Sequence, residues 1–207
     1  MTMNKTLLIS TALLSGIYSQ AQDTSTVKSL DPVVITATKY PVKLSETGKV
    51  LTVIPAEQID RSQGKSLAQI LTEQSGMIVN GANSNPGKDK SVFLRGASNK
   101  YTLVLLDGVP VNDPSGPGGA FDLRLFPVEQ IDHIEILKGS QSTLYGSDAL
   151  AGVINIITKK GGTKKIGVNG GANYGSFKTF NGNAGVNGST RYIDYNVNYA
   201  YTNTGGI

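Results

Sequence analysis

The sequence predicts a small α+β domain, a mixed sheet with short helices, followed by the first antiparallel strands of a transmembrane β-barrel. Three observations predict it. An apolar export leader opens the chain, and no later segment is long and apolar enough for a membrane helix. From Val50 to Lys160, short strand-like and helix-like runs are separated by turn signals. After Gly161-Gly162, apolar and polar residues alternate in tyrosine-bearing segments of about ten residues.

The leader comes first. Lys5 supplies a positive start, Thr6 to Ile17 is uncharged and mostly apolar, and Ser19-Gln20-Ala21 offers small residues for cleavage after Ala21. Residues 1–21 are therefore expected to be a signal peptide. Gln22 to Leu30 is polar and small and reads as a flexible tether. Asp31-Pro32-Val33-Val34-Ile35-Thr36-Ala37-Thr38 is a β-prone burst with no evident hairpin partner. It is expected to pair with its own sheet or with another protein.

The α+β part follows. Val50 to Ile54 reads as a strand, and Pro55-Ala56-Glu57 opens a helix. Ser66 caps a second helix with Leu67, Ile70 and Leu71 on one face, and Gly76 ends it. Met77 to Val79 and Ser91 to Gly96 read as strands flanking a polar loop, Asn80 to Lys90. Thr102 to Leu106 is apolar on both faces, so it is placed centrally and covered on both sides. Asp107-Gly108 is a turn, and Asn112 to Ala120 is a second long loop. Pro127 to Ile131 starts a short helix, and Ile134 to Lys138 and Gly152 to Thr158 are strands.

In the last part, Ile166, Val168, Gly170, Ala172 and Tyr174 alternate with Gly and Asn, as do Ile193, Tyr195, Val197, Tyr199 and Tyr201 with Asp, Asn and Ala. Turns are expected at Gly175-Ser176 and Asn187-Gly188-Ser189. So few strands cannot close a barrel, and an open edge in lipid leaves backbone groups unsatisfied. The chain is therefore expected to be the front of a longer protein, with roughly 400 further residues of strand.

Composition removes several functions. Cysteine is absent and His133 is the single histidine, which excludes a disulfide framework and a multi-histidine metal site. The formal charge of +4 is not gathered into a basic stripe, so no nucleic-acid partner is expected. Charged residues are 16%, against about 25% in soluble domains, which suits β-structure rich in turns. The stretch Gly81 to Lys88 fails as a phosphate loop, because Asp89 stands where Ser or Thr is required. Ser147 lacks the glycine frame of a nucleophile elbow. His133 reads as a strand-edge residue. No catalytic residue, cofactor or resident metal is predicted, and the protein is not expected to be an enzyme. The two long loops carry Asn, Ser, Gly and Pro, and suit a large polar ligand held by many weak contacts.

Several segments together resemble TonB-dependent outer-membrane receptors. They are Asp31 to Thr38, Phe93-Leu94-Arg95-Gly96, Leu103 to Val109, Ile134 to Gly139 and Leu144 to Thr158. Within the family, Tyr145 to Thr158, Asp122-Leu123 and Phe126-Pro127 favour the cobalamin transporters over siderophore members. The resemblance implies a plug domain over residues 41–161 inside a barrel of about 22 strands, the barrel beginning at 162–207. It implies that 31–38, in a tether over 22–40, is the TonB box, which a periplasmic TonB protein captures by strand addition. Residues matching the cobalamin members' plug contacts are Asp89, Ser91, Ser98, Gly116 and Pro117. The family's calcium sites lie outside this chain. The implied setting is the outer membrane, in contact with lipid, as a monomer. The expected activity is energised uptake of cobalamin or another corrinoid; the loops hold no Arg and no aromatic residue, which leans away from ferric siderophores. Two alternatives stand beside it: a ferric-siderophore or haem receptor of the same family, and a secreted soluble binding module.

Overall fold

The computed structural model describes residues 31–206 apart from 63, 86, 114, 116 and 163. The expected signal peptide over 1–21 and the tether over 22–30 lie outside the described residues. In chain order the strands are β1 (Val33–Val34), β2 (Val42–Lys43), β3 (Leu51–Ile54), β4 (Met77–Asn80), β5 (Ser91–Leu94), β6 (Thr102–Leu106), β7 (Val109–Pro110), β8 (Ile131–Lys138), β9 (Gly152–Thr158), β10 (Gly167–Gly175), β11 (Thr179–Ser189) and β12 (Asp194–Asn203). The helices are α1 (Ala56–Arg61), α2 (Leu67–Thr72) and α3 (Ser142–Tyr145).

Five strands form the central sheet in the order β3-β8-β9-β6-β7. It is mixed because β9 runs antiparallel to β8 and parallel to β6. Alternation along these strands sends residues to two opposite faces. Val104, Ile134, Ile136, Ile154 and Ile156 point to the larger core, under α1, α2 and the β4-β5 hairpin. Leu103, Leu105, Leu137 and Val153 point the other way, to a smaller core with Ala149. The two-faced burial expected for Thr102 to Leu106 is thus present, with β6 flanked on both edges.

Local chemistry explains the punctuation. Ser66 accepts from the Gln69 backbone N–H while the Gln69 side chain accepts from the Ser66 N–H, a reciprocal cap that starts α2. Asp107 and Gly108 both have positive φ (49° and 84°), the backbone that a two-residue hairpin turn between β6 and β7 requires. The Asp107 carboxylate also accepts from the Thr158 N–H (2.9 Å) and hydroxyl (2.8 Å), which pins the turn to the end of β9.

β10, β11 and β12 form a separate antiparallel sheet. Its turn after β11 differs from expectation: pairing continues through Asn187, Gly188 and Ser189, and the chain reverses at Thr190–Ile193. Gly188 stays in the strand because the Tyr195 ring and the Lys165 carbonyl occupy the space a side chain would take. The Tyr195 hydroxyl donates to that carbonyl at 2.8 Å.

Gly152 is the position least able to accept a side chain in the central sheet. A Cβ there would strike the Leu137 carbonyl and the Leu94 side chain. Gly152→Val is expected to destabilise the domain by about 1–3 kcal/mol or more. Gly48→Ala, where nothing lies within 4 Å, is expected to be silent. Chemical-unfolding midpoints of the two variants check this.

Candidate functional site

Residues 31–38 form only a short strand. Val33 and Val34 pair with Lys43 and Val42, so a hairpin partner exists a few residues downstream. Extended structure stops at Val34 because the chain then turns, with the Lys39 N–H donating to the Ile35 carbonyl at 2.8 Å. Asp31, Pro32, Val33, Ile35 and Thr38's neighbour Lys39 are exposed or nearly so, whereas Val34, Thr36 and Ala37 are fully buried.

The turn is held by side chains of the smaller core face. The Glu135 carboxylate accepts from the Ile35 N–H at 3.1 Å to both oxygens, and from the Thr36 N–H at 2.7 Å. Asn155 stands opposite Glu135 in the β8-β9 register. Its Nδ2 donates to the Thr36 hydroxyl at 3.0 Å, and its Oδ1 accepts from the Gly108 N–H at 3.1 Å. The Tyr145 hydroxyl donates to the Thr36 carbonyl at 2.9 Å. Lys49 Nζ donates to the Ala37 carbonyl at 2.7 Å and to Gln141 at 2.9 Å. None of Glu135, Asn155, Tyr145 and Lys49 was singled out by sequence motif. A signal existed: Glu135 is the acid inside Ile134 to Leu137, and Asn155 the amide inside Val153 to Ile157.

His133 is more than a strand-edge residue. Its Nδ1 lies 2.7 Å from Asp132 and its Nε2 3.4 Å from Glu135, so an imidazolium has an acceptor on each side. The bond to Glu135 raises its pKa, burial opposes this, and Asp132 adds to the rise. For Glu135, burial pushes the pKa up. The bonds from His133, Thr36 and Ile35 outweigh it and bring the carboxyl below its ordinary value.

The two long loops have internal order. Lys90 is nearly fully buried and its ammonium donates to the carbonyl of Gly81, the Ser84 hydroxyl (3.1 Å) and the Asn85 carbonyl (3.1 Å). Burial and the nearby Lys88 and Arg124 lower its pKa, with Asp122 opposing. Arg124, outside both loops in sequence, reaches into the first one. It bonds Asp122 (2.5–2.9 Å), Asp89 (2.6 Å) and the Gly87 carbonyl. Asp89 is therefore the partner of an arginine, and the surface expected to be free of Arg carries one. Ser91 opens β5 opposite Asn80. Ser98 bonds Asn99 at 3.3 Å, and Asn99 in turn abuts Gly118 of the second loop. Gly116 and the Pro117 side chain lie outside the described residues.

In the β10-β11-β12 sheet, register places Val168, Val186 and Val197 in one row, then Gly170, Ala184 and Tyr199, then Ala172, Gly182 and Tyr201. Val168, Val197 and Tyr199 are exposed on this apolar face. Asn169, Asn173, Asn181, Asn183, Asn187, Asn196 and Asn198 share the other. From that polar face, Asn196 donates to the Lys159 carbonyl at 2.8 Å and Asn187 to the Gly161 carbonyl at 3.3 Å, beside the end of β9.

A family model described as the TonB-dependent Receptor Plug Domain matches residues 43–153, just over half of the chain. The chain belongs to that family. It is a TonB-dependent receptor plug, a mixed sheet with few short helices, followed by strands that resemble the start of the family's barrel. The ferric enterobactin receptor PfeA of Pseudomonas aeruginosa, solved with enterobactin, is 29% identical with a TM-score of 0.59 over 76% of this chain and 25% of that one. The siderophore receptor PirA of Acinetobacter baumannii is 26% identical with a TM-score of 0.55 over 73% of this chain and 24% of that one. FpvA of P. aeruginosa, bound to pyoverdines, shares the fold at 21% identity, with a TM-score of 0.65 over 83% of this chain and 22% of that one. The plug chain thus spans about a quarter of the length of the solved receptors it matches. The family is one of receptors and transporters and not an enzyme class.

Two outcomes follow for the plug. The Glu135 contribution is complete above its ordinary value of 4.5 and is lost as pH falls through its lower folded value. The His133 contribution is complete below 6.5 and is lost as pH rises through its higher folded value. Residues 35–37 are therefore expected to be held most tightly between those two ordinary values. The mobility of a spin label at Val33→Cys, followed across pH, checks this, and Glu135→Gln should flatten the acid limb. Arg124→Ala is expected to speed amide exchange from Gly87 to Asp89 while leaving the unfolding midpoint unchanged.

Proposed function

We propose that the protein is an outer-membrane, TonB-dependent active transporter whose ligand is a ferric siderophore. Its plug would block a barrel lumen, and the loops Asn80–Lys90 and Asn112–Ala120 would form part of the ligand site. Asp89, Ser91, Ser98, Gly116 and Pro117 are the proposed contacts. Asp31 to Thr38 is the proposed TonB box, behind a signal peptide cleaved near Ala21 and a tether over 22–40. The plug would occupy 41–161 and the barrel would begin in 162–207, in contact with outer-membrane lipid.

The observation that carries the choice of ligand is Arg124. One of the two grounds for cobalamin is loops without arginine, and Arg124 joined to Asp89 and Gly87 removes that ground; the other is the segment Tyr145 to Thr158 with Asp122-Leu123 and Phe126-Pro127. An arginine fork suits the oxygen-rich, anionic surface of an iron chelate better than a neutral corrinoid. The likeness to a ferric enterobactin receptor solved in complex with enterobactin supports the same choice.

Uptake competition in cells expressing the complete gene tests this. Ferric catecholate siderophore should compete with its labelled form, and cobalamin should not; the reverse result would restore the corrinoid reading. Val34→Pro is expected to abolish energised uptake and leave surface binding intact, since proline removes a backbone donor that strand addition uses. Equal loss of both activities would count against the TonB-box assignment.

A further inference from the structure

The eight residues from Asp31 to Thr38 do not share one environment. Asp31, Pro32 and Val33 are exposed, and only Val33 and Val34 are in strand. Ile35 to Ala37 are gripped by four side chains from other parts of the chain, three through the backbone and one through the Thr36 hydroxyl. Glu135 accepts from two N–H groups, Tyr145 and Lys49 donate to the next two carbonyls, and Asn155 donates to the Thr36 hydroxyl oxygen. Glu135 and Asn155 are cross-strand neighbours at the middle of the central sheet. Three of these bonds involve a charged group, and those are the stronger kind. The β1-β2 pairing that precedes them is only two residue pairs long.

We propose that Glu135, Asn155, Tyr145 and Lys49 form a seat that fixes Ile35–Ala37 and delivers tension on the leading strand to β8 and β9. This rests on the reading that a partner pulls on that strand. Within it, the eight residues divide. Asp31 to Val33 are the exposed handle that the partner first takes, Val34 follows when β1 peels from β2, and Ile35 to Ala37 belong to the plug. A pull on the handle peels β1 from β2 first, because those pairs open one after another. It then meets the seat, where bonds to both strands resist together. The sheet is loaded there, at its centre, before the leader comes away.

The four seat residues act on the transport step through their hold on Thr36, so they are positioning residues. The test uses the full-length transporter with Glu135→Gln, Thr36→Val and Tyr145→Phe; the last removes one hydroxyl and serves if the first fails to fold. Ligand affinity at the cell surface and photocrosslinking of the partner to Val33 are expected to match wild type. Maximal uptake is expected to fall at least tenfold in Glu135→Gln and severalfold in the other two. Single-molecule pulling from residues 31–33 should show, after β1 peels from β2, a lower yield force at the seat in each variant, with that extension limited to the chain ahead of β3; in wild type it should include β8 and β9.

Wild-type uptake in Glu135→Gln and Tyr145→Phe would overturn the seat. Loss of crosslinking in Thr36→Val would show that Thr36 touches the partner and would overturn the division. If wild type itself neither captures a partner nor takes up ligand, the transport reading fails instead. The pulling measurement then decides the seat alone, an unchanged yield force after the β1-β2 peel in Glu135→Gln overturning it.

Discussion

A fully buried carboxylate on a sheet face is the constraint on which the plug depends. Glu135 sits among Ile134, Ile136 and Leu137, all fully buried. An unpaired charge in such a place costs several kcal/mol. The leader removes that cost with two backbone N–H groups, and His133 adds a third partner. The dependence runs both ways. The chain turns at Ile35, so the N–H groups of Ile35 and Thr36 have no strand partner, and buried backbone donors must find an acceptor. Residues 34–37 are in this sense the covering layer of the second sheet face.

The same logic orders the loops at the other set of proposed contacts. Among the described residues, Asn80 to Lys90 has no regular secondary structure beyond its flanking strands, so its carbonyls need donors from elsewhere. Lys90 supplies them from inside, and Arg124 does so from the neighbouring segment. A cation enclosed by carbonyls makes a polar loop shape-persistent without a hydrophobic core. Asp89 is then held in place by Arg124, and a ligand carboxylate or catecholate oxygen would have to compete with it for the same fork.

Legibility in the sequence followed the range of the interaction. The helix cap at Ser66, the doubly covered run Thr102 to Leu106 and the alternation from Ile166 onward are local patterns with a period, and the structure carries them. The seat is not local: Glu135 lies 99 residues from Thr36 and Asn155 lies 119. Its chemistry was visible as a lone acid and a lone amide in apolar strands, but their partner was not. The β1-β2 pairing escaped because two residues show no period. Arg124 escaped because the fold, and not proximity in sequence, brings it 37 residues back to Gly87. Gly188 misled because glycine marks turns and also marks places where another group comes close; here the Tyr195 ring decides.

The order of bond strengths fixes which surface gives way first. Inside the plug, Ile35–Ala37 are held by charge-assisted bonds to Glu135 and Lys49, each worth about 1.5–3 kcal/mol, beside the neutral bonds from Tyr145 and Asn155. Between the segment that follows β9 and the β10-β11-β12 sheet, the bonds from Asn187 to Gly161 and from Asn196 to Lys159 are neutral amide to carbonyl, each worth about 0.5–1.5 kcal/mol. The same face of the β10-β11-β12 sheet carries further asparagines, so a displaced amide has a neighbour or water to replace its partner at little net cost. A wall of lysines and carboxylates would instead hold the plug by pairs that are costly to separate. Under the proposed pull on the leading strand, the neutral bonds of the asparagine face would separate at lower cost than the charge-assisted bonds at Glu135.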